Sequence, residues 1–370
     1  MSFGLGRSFL AATLLASLAL LCPFLPTGAA AQDADSAAVR RSIAESVTAV
    51  LQGDSGRAVA ALEAVPADRF GGDDRAYRAC MLERFGQGSA PRLVDATGDA
   101  RVDELLWLYQ EYWWRALTAP ASLEQLGDAL RERLRVHLGA HTADWTELEE
   151  MAAQRLLASG YHAQLGRTPP LRELMIWRTQ NSERYDVVLP EGSHRVRVEL
   201  LDDFVSRGWS SYGRCGRGSS GGWATKDRLY AVMPWFEGDL ESDAFRASLL
   251  GHETQHFADL GRFPDLEPWE LEYRAKLTEL WKASDTLPAL LARFAGSQGD
   301  DPNAPHPYAN KRVLSALRER LQGQNVATVR ADLGDVPPQV LRAAAREQLI
   351  EDSLQRAGVG QRPSGFQAKD

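Results

Sequence analysis

The run HETQH at residues 252–256 constrains the fold of this chain most. In an α-helix, residues four positions apart lie on the same face, so His252 and His256 can both reach one metal ion. Glu253, beside the first histidine, can then accept a proton from a water molecule that the metal binds. The pattern therefore predicts a helix with a metal site on one face. The alternative is an amphipathic helix whose histidines bind no metal.

The flanking residues predict the two ends of this helix. Ser242 is a favourable N-cap, and Asp243 suits the positive end of the helix dipole. Gly261 follows the last periodic residue, Leu260, where a C-terminal capping glycine is usual. Apolar residues continue the histidine face toward the N-terminus, so the stripe consists of Phe245, Leu249, His252 and His256.

A second predicted helix follows after a short turn and carries the acids Glu270 and Glu272. The run HETQH followed by a glutamate on the next helix resembles the gluzincin group of zinc metallopeptidases, across about residues 220–315. The resemblance implies that the cofactor is Zn²⁺, that His252 and His256 bind it, and that Glu253 is the general base.

The third zinc ligand follows from the same resemblance. Glu272 fits best, because the run EYRA from this residue is similar to the family's Glu-x-x-Ala pattern. Glu270 is the alternative, and only one of the two can face the metal, since residues two apart point to different sides of a helix. Many relatives carry an aspartate four residues later that orients a ligand histidine, but Lys276 stands there in this chain. Glu279 is a possible replacement for that aspartate.

Two residues near a later helix start are candidates for stabilising the negative oxygen that develops during hydrolysis. His306 and Tyr308 can each donate a hydrogen bond to such an oxygen, and we prefer Tyr308. The alternative is that both belong to a capping cluster at the helix start.

Periodicity along the chain predicts a mainly α (α+β) fold. We expect a helical N-terminal domain at 32–180, then a gluzincin-like catalytic domain at 181–325. A C-terminal helix and a disordered tail are expected at 326–370. The N-terminal helices are predicted at Ala37–Gln52, Ser55–Val65, Asp73–Phe85, Val102–Thr118, Ser122–Gly139, Asp144–Gly160 and Leu171–Gln180.

A small sheet is predicted inside the catalytic domain. Strand patterns cover Tyr185–Pro190, His194–Leu200 and Thr225–Pro234. The resemblance implies that the last of these strands lies at the sheet edge above the zinc. A peptide substrate could pair with a free edge through main-chain hydrogen bonds. The alternative is an edge strand with a structural role alone.

The first 31 residues predict export. Arg7 is the only charge before the apolar run Phe9–Leu25, and an A-x-A cleavage pattern ends at Ala31. We therefore expect a signal peptide at 1–31 and a periplasmic or secreted protein, although a membrane anchor is the alternative. Disulfides persist in such compartments, but the sequence leaves open whether Cys80 and Cys215 form one or are separate thiols.

Charge narrows the class of partner. The chain has 50 acidic and 42 basic residues, and this excess of acids argues against non-specific nucleic-acid binding. We expect an exported zinc metallopeptidase with a peptide or protein substrate and no membrane span once the signal is removed. The alternative is a non-catalytic helical scaffold whose metal site is structural or degenerate. The substrate, endo- or exo-specificity and oligomeric state remain open.

Overall fold

A computed structural model describes residues 28–218, 221–225, 227–324 and 330–358, with side chains from residue 36 onward. The predicted fold class is confirmed, because the described chain is mainly helical with one small curled sheet of five strands. None of the helices in these ranges has the length and apolarity needed to cross a membrane. Most of the predicted signal peptide and nearly all of the predicted C-terminal tail lie outside the described residues.

Between residues 28 and 158 the regular secondary structure consists of helices alone. Six of the seven N-terminal helices that the periodicity predicts are confirmed, and side chains such as Asp54 and Asp144 cap them by accepting first-turn N–H groups. The helices are α1 (Gly28–Leu51), α2 (Ser55–Glu63), α3 (Gly72–Phe85), α4 (Ala100–Thr118), α5 (Leu123–Leu138) and α6 (Trp145–Ala158).

The seventh helix, predicted at Leu171–Gln180, is wrong. These residues begin a long strand, and the sheet starts with β1 (His162–Thr168), β2 (Leu171–Leu189) and β3 (Gly192–Arg207), all paired antiparallel. Apolar residues lie on both faces of this run, so its periodicity does not distinguish a strand from a buried helix. Its pairing with β1 on one side and β3 on the other makes it a strand. The helical part of the chain therefore ends at Ala158, and residue 180 lies within β2.

The sheet is completed after a short helix, α7 (Trp209–Gly213), by β4 (Gly222–Ala224) and β5 (Leu229–Val232). The strand order is β1-β2-β3-β5-β4, with β5 parallel to β3 and antiparallel to β4. The three predicted strands are thus present, but the expectation that the 225–234 strand forms the sheet edge is wrong. The short β4 pairs with its outer side and takes the edge position instead.

Most of the described residues after β5 are helical again. A π-helical segment, Ala244–Gly251, runs without a break into α8 (His252–Arg262). Four further helices follow: α9 (Pro268–Lys282), α10 (Leu287–Gly296), α11 (Pro305–Gly323) and α12 (Pro338–Arg356). Helices α9 to α12 share one apolar core with buried residues such as Leu277, Phe294, Leu317 and Leu341.

The predicted start of the motif helix is confirmed and its predicted end is wrong. Ser242 Oγ accepts a hydrogen bond from the N–H of Phe245 at 3.2 Å, as an N-terminal cap should. Gly261 lies inside the last turn of α8 instead of following it. The helical pattern continues because the N–H of Phe263 bonds to the carbonyl of Asp259 at 2.7 Å.

A disulfide joins Cys80 on α3 to Cys215, just after α7. This contact decides between the two alternatives that the sequence leaves open for the cysteines. The bridge links the helical N-terminal part to the chain that leads into β4, across a sequence separation of 135 residues.

A buried ion-pair network, which we call the Arg274 clamp, holds α9 against its neighbours. The Arg274 side chain has no solvent exposure, and its Nε and Nη2 donate to the two carboxylate oxygens of Asp259 on α8, at 2.8 and 2.9 Å. It also donates to Glu191 in the β2–β3 turn and to Asp352 and Ser353 on α12. One side chain thus connects α8, α9, α12 and the sheet.

The clamp makes a testable contribution to stability. Asp259→Ala leaves the buried guanidinium without its bidentate partner, and removing one member of a buried pair costs about 3–5 kcal/mol. We expect urea denaturation to show a loss of this size. The control is Asp186→Ala, because Asp186 pairs with Arg195 in the same two-bond geometry but in an exposed position. That variant should lose at most about 1 kcal/mol, and equal losses in both variants would contradict the role of the clamp.

Candidate metal centre

Three side chains converge where α8 crosses α9. The Nε2 atoms of His252 and His256 are 3.1 Å apart. The carboxylate of Glu272 lies 3.6 Å from the first and 3.4 Å from the second. One ligand atom from each residue can be chosen so that all three lie within 4.8 Å of one another. The structure therefore brings together the three residues that the sequence predicts as metal ligands.

The local fold explains this convergence. The two histidines are one helical turn apart and share a face of α8, as their spacing predicts. Gly251, at the junction with the π-helical segment, leaves room for the side chain of Lys282 at the end of α9, since a Cβ there would lie 2.5 Å from its Cδ. The motif residue Gln255 fixes the same crossing by donating to Asp259 and accepting from Thr278 on α9. Glu272 is thereby held at the height of the histidines.

The electrostatics keep Glu272 ionised, as a metal ligand must be. Burial opposes ionisation, but contacts with His256 and His306 and the charge of His252 hold the pKa of Glu272 well below its usual range. The pKa of His256 is raised, because burial is outweighed by Glu272 and by the charges of Glu253 and Asp259. The ionised carboxylate thus lies close to both imidazole rings.

Glu279 occupies the orienting position that the sequence proposes for it. Its carboxylate lies 3.5 Å from Nδ1 of His252, on the side of the ring away from Glu272. Burial raises the pKa of Glu279, but His252 together with Arg293 and Lys276 lowers it to about 2. Arg293 on α10 pairs with this carboxylate at 2.8 Å. A carboxylate behind a ligand histidine fixes the ring orientation and increases its basicity.

Glu270, the alternative third ligand, lies elsewhere. Its side chain accepts from the N–H of Glu267 in a capping box at the start of α9, and it also accepts from Arg356 on α12. The geometry therefore favours Glu272 over Glu270.

The two candidates for stabilising a negative oxygen are separated by the fold. His306, on the first turn of α11, places Nδ1 2.8 Å from Oε2 of Glu272, and its side chain is two-thirds exposed. Tyr308 instead packs edge-on against Trp269, with ring centroids 5.0 Å apart. The geometry favours His306, although the sequence analysis prefers Tyr308. His306 contacts the carboxylate without joining the three-residue ligand group.

A cleft of about 390 Å³ opens beside the ligand group. Glu253, the predicted general base, lines this cleft together with His252 and His306. Trp235, Lys276, Arg293 and Asn310 also line the cleft, and the sequence does not predict them as cleft residues. The sequence contains one indication for Asn310, because this residue is four positions after His306 and so shares its helix face.

The residues fit a divalent metal ion. Two imidazole nitrogens and a carboxylate oxygen are a donor set typical of zinc sites with an open position. The carboxylate of Glu272 is buried, and its oxygens lie 3.6 Å from Nε2 of His252 and 3.4 Å from Nε2 of His256, so all three donors face one point. Comparisons with protein-family models, curated proteins and solved structures found no match for this chain.

The third ligand can be tested by metal affinity. Glu272→Ala removes the carboxylate that contacts both histidines, so we expect zinc affinity to fall by at least about tenfold. Glu270→Ala removes a helix cap and should change zinc affinity little. Competition with a chromogenic chelator measures both constants, and His256→Ala serves as the reference for loss of a ligand. The reverse order of the two glutamate variants would contradict the assignment.

Proposed function

We propose that this protein is a zinc-dependent hydrolase that cleaves peptide bonds. The observation that carries the proposal is that Glu253 and His252 line one cleft, and that His252 belongs with His256 and Glu272 to a group suited to a metal ion. A structural zinc site needs four protein ligands and no cleft. Within the described residues, the group that could hold a metal contains three.

Several residues of this chain would have separate roles in hydrolysis. A zinc ion held here would supply Lewis acidity toward a water molecule and the substrate carbonyl. Glu253 takes the proton from that water and passes it to the leaving amine. Glu279 holds the ring of His252 in orientation from behind. His306, which lines the cleft, would donate a hydrogen bond to the negative oxygen.

The position of β4 supports a peptide as the substrate. This strand is the sheet edge, and Gly222 at its start lines the metal cleft. An extended peptide can add to such an edge through main-chain hydrogen bonds that do not depend on its sequence. The role that the sequence assigns to the 225–234 strand is therefore proposed here for β4.

The disulfide supports an exported protein. Bridges such as Cys80–Cys215 are maintained in oxidising compartments and are rare in the cytosol of most organisms. We propose a periplasmic or secreted location, in agreement with the predicted signal peptide at 1–31.

The alternative function is a non-catalytic scaffold with a degenerate metal site. The pair His306 and Lys276 favours it in one respect, because both contact Glu272 and could weaken its bond to a metal. The two functions differ in one observable, which is the turnover of a peptide by the zinc-loaded chain.

Glu253→Gln tests the proposed mechanism. The amide keeps the size of the side chain but cannot accept the proton, so we expect zinc content and the fold to be unchanged. Peptide hydrolysis should fall at least about 100-fold, the usual contribution of a general base. The measurement is the cleavage rate of a peptide library by mass spectrometry, together with zinc content.

A matched control is Glu237→Gln, which changes an exposed glutamate outside the cleft lining. This variant should cleave at the wild-type rate. Full activity of Glu253→Gln would overturn the mechanism, and a wild-type protein that holds zinc but cleaves no peptide would favour the scaffold.

A further inference from the structure

We propose that Asn310 is a substrate-positioning residue whose side-chain oxygen accepts a hydrogen bond from a backbone N–H of the bound peptide. The proposal rests on the proposed function and names the chemical group that the cleft recognises. The selected substrates are therefore peptides with an unsubstituted amide N–H close to the scissile bond.

The first observation is the burial of Asn310. Its side chain is on α11 and is 4 % exposed, which is unusual for asparagine. It lines the metal cleft together with His252, Glu253 and His306. His306 and Asn310 are one helical turn apart, so a single face of α11 presents both to the cleft.

The second observation fixes which end of the amide is free. The Nδ2 atom donates to the carbonyl oxygen of Ser297 at 2.7 Å. The opposite orientation would place two oxygens at that distance, so the amide cannot be flipped. The nitrogen therefore holds the loop before α11, and the oxygen is the end that remains for another partner.

The third observation is that this oxygen has no partner. Within the described residues no donor forms a hydrogen bond with Oδ1 of Asn310, and the atom is buried. A buried acceptor left unsatisfied costs about 1–3 kcal/mol. Such groups are rare in native proteins, and a ligand that supplies the missing hydrogen bond is one explanation for them.

The cleft chemistry indicates the kind of donor. Lys276 and Arg293 line the cleft too, but their charges face Glu272 and Glu279. The Asn310 oxygen is a neutral acceptor, and the charges around it are already paired, so it favours a neutral donor. A charged donor would add a further cation close to Lys276 and Arg293, and the like charges would repel. A peptide backbone N–H is a neutral donor, and an extended peptide along β4 would carry one into this cleft.

The test is a double-mutant cycle in which one change is made in the protein and the other in the peptide, and the dissociation constant is measured for each combination. A peptide that the wild type cleaves is synthesised in its parent form and in forms that carry one N-methyl group at each backbone position from the third residue before the cut to the third after it. Dissociation constants are measured by calorimetry on the zinc-loaded Glu253→Gln protein, which binds without turnover.

We expect N-methylation at one position near the cut to weaken binding by about tenfold. In the protein that also carries Asn310→Leu, the same N-methyl group should weaken binding less than about twofold, because the acceptor is already gone. A purely structural role for Asn310 would lower the affinity of all forms equally and leave the N-methyl penalty intact. Asn310→Ala is the second variant in case the leucine variant does not fold, and Asn303→Leu, an exposed change in the preceding loop, is the control.

The outcomes separate this proposal from the proposed function. Equal N-methyl penalties in the presence and absence of Asn310, at every position, would overturn the role of Asn310 while peptide binding stands. A zinc-loaded protein that neither cleaves nor binds any peptide of the library would overturn both.

Discussion

A guanidinium group with no solvent exposure fixes the two helices that carry the candidate metal ligands. Arg274 on α9 makes a two-bond ion pair with Asp259 on α8, three residues after His256. Since Glu272 is two residues before Arg274, this pair sets the height at which its carboxylate meets the histidines. The contacts of Arg274 with Glu191 and with α12 extend the same restraint to the sheet and the C-terminal helix.

The cost of burying this charge explains the composition of its surroundings. An isolated buried cation is very unfavourable, so Arg274 is surrounded by the acids Asp259, Glu191 and Asp352. The metal centre shows the inverse arrangement, because its acids Glu272 and Glu279 face histidines and the side chains of Lys276 and Arg293. Helices α8 and α9 thus carry two neighbouring charge clusters, one around Arg274 and one around Glu272. The two clusters are separate because these side chains leave α9 in different directions.

Much of this site could be predicted from the sequence, because its signals are local. The spacing of His252 and His256 determines that they share a helix face, and the Glu-x-x-Ala pattern selects Glu272 from two acids on one helix. The helices around them begin and end close to the predicted positions, since capping and periodicity are properties of neighbouring residues. The metal-bound state and the activity remain predictions.

The parts that failed depend on contacts between distant residues. Residues 171–180 have no decisive period, and their pairing with β1 and β3 makes them a strand. Gly222 pairs with Ala231 and turns a predicted edge strand into an inner one. The position of α11 brings His306 to Glu272 and turns Tyr308 toward Trp269, which no pattern within α11 indicates.

The proposed function requires three protein ligands that hold one metal ion and leave a position open to the cleft. The most direct measurement is a crystal structure of the zinc-loaded protein with anomalous diffraction at the zinc edge. We predict a single anomalous peak at about 2.0–2.2 Å from Nε2 of His252, Nε2 of His256 and a carboxylate oxygen of Glu272, with no protein atom in the fourth position. A peak elsewhere, or His306 bound as a fourth protein ligand that closes the site, would contradict the claim.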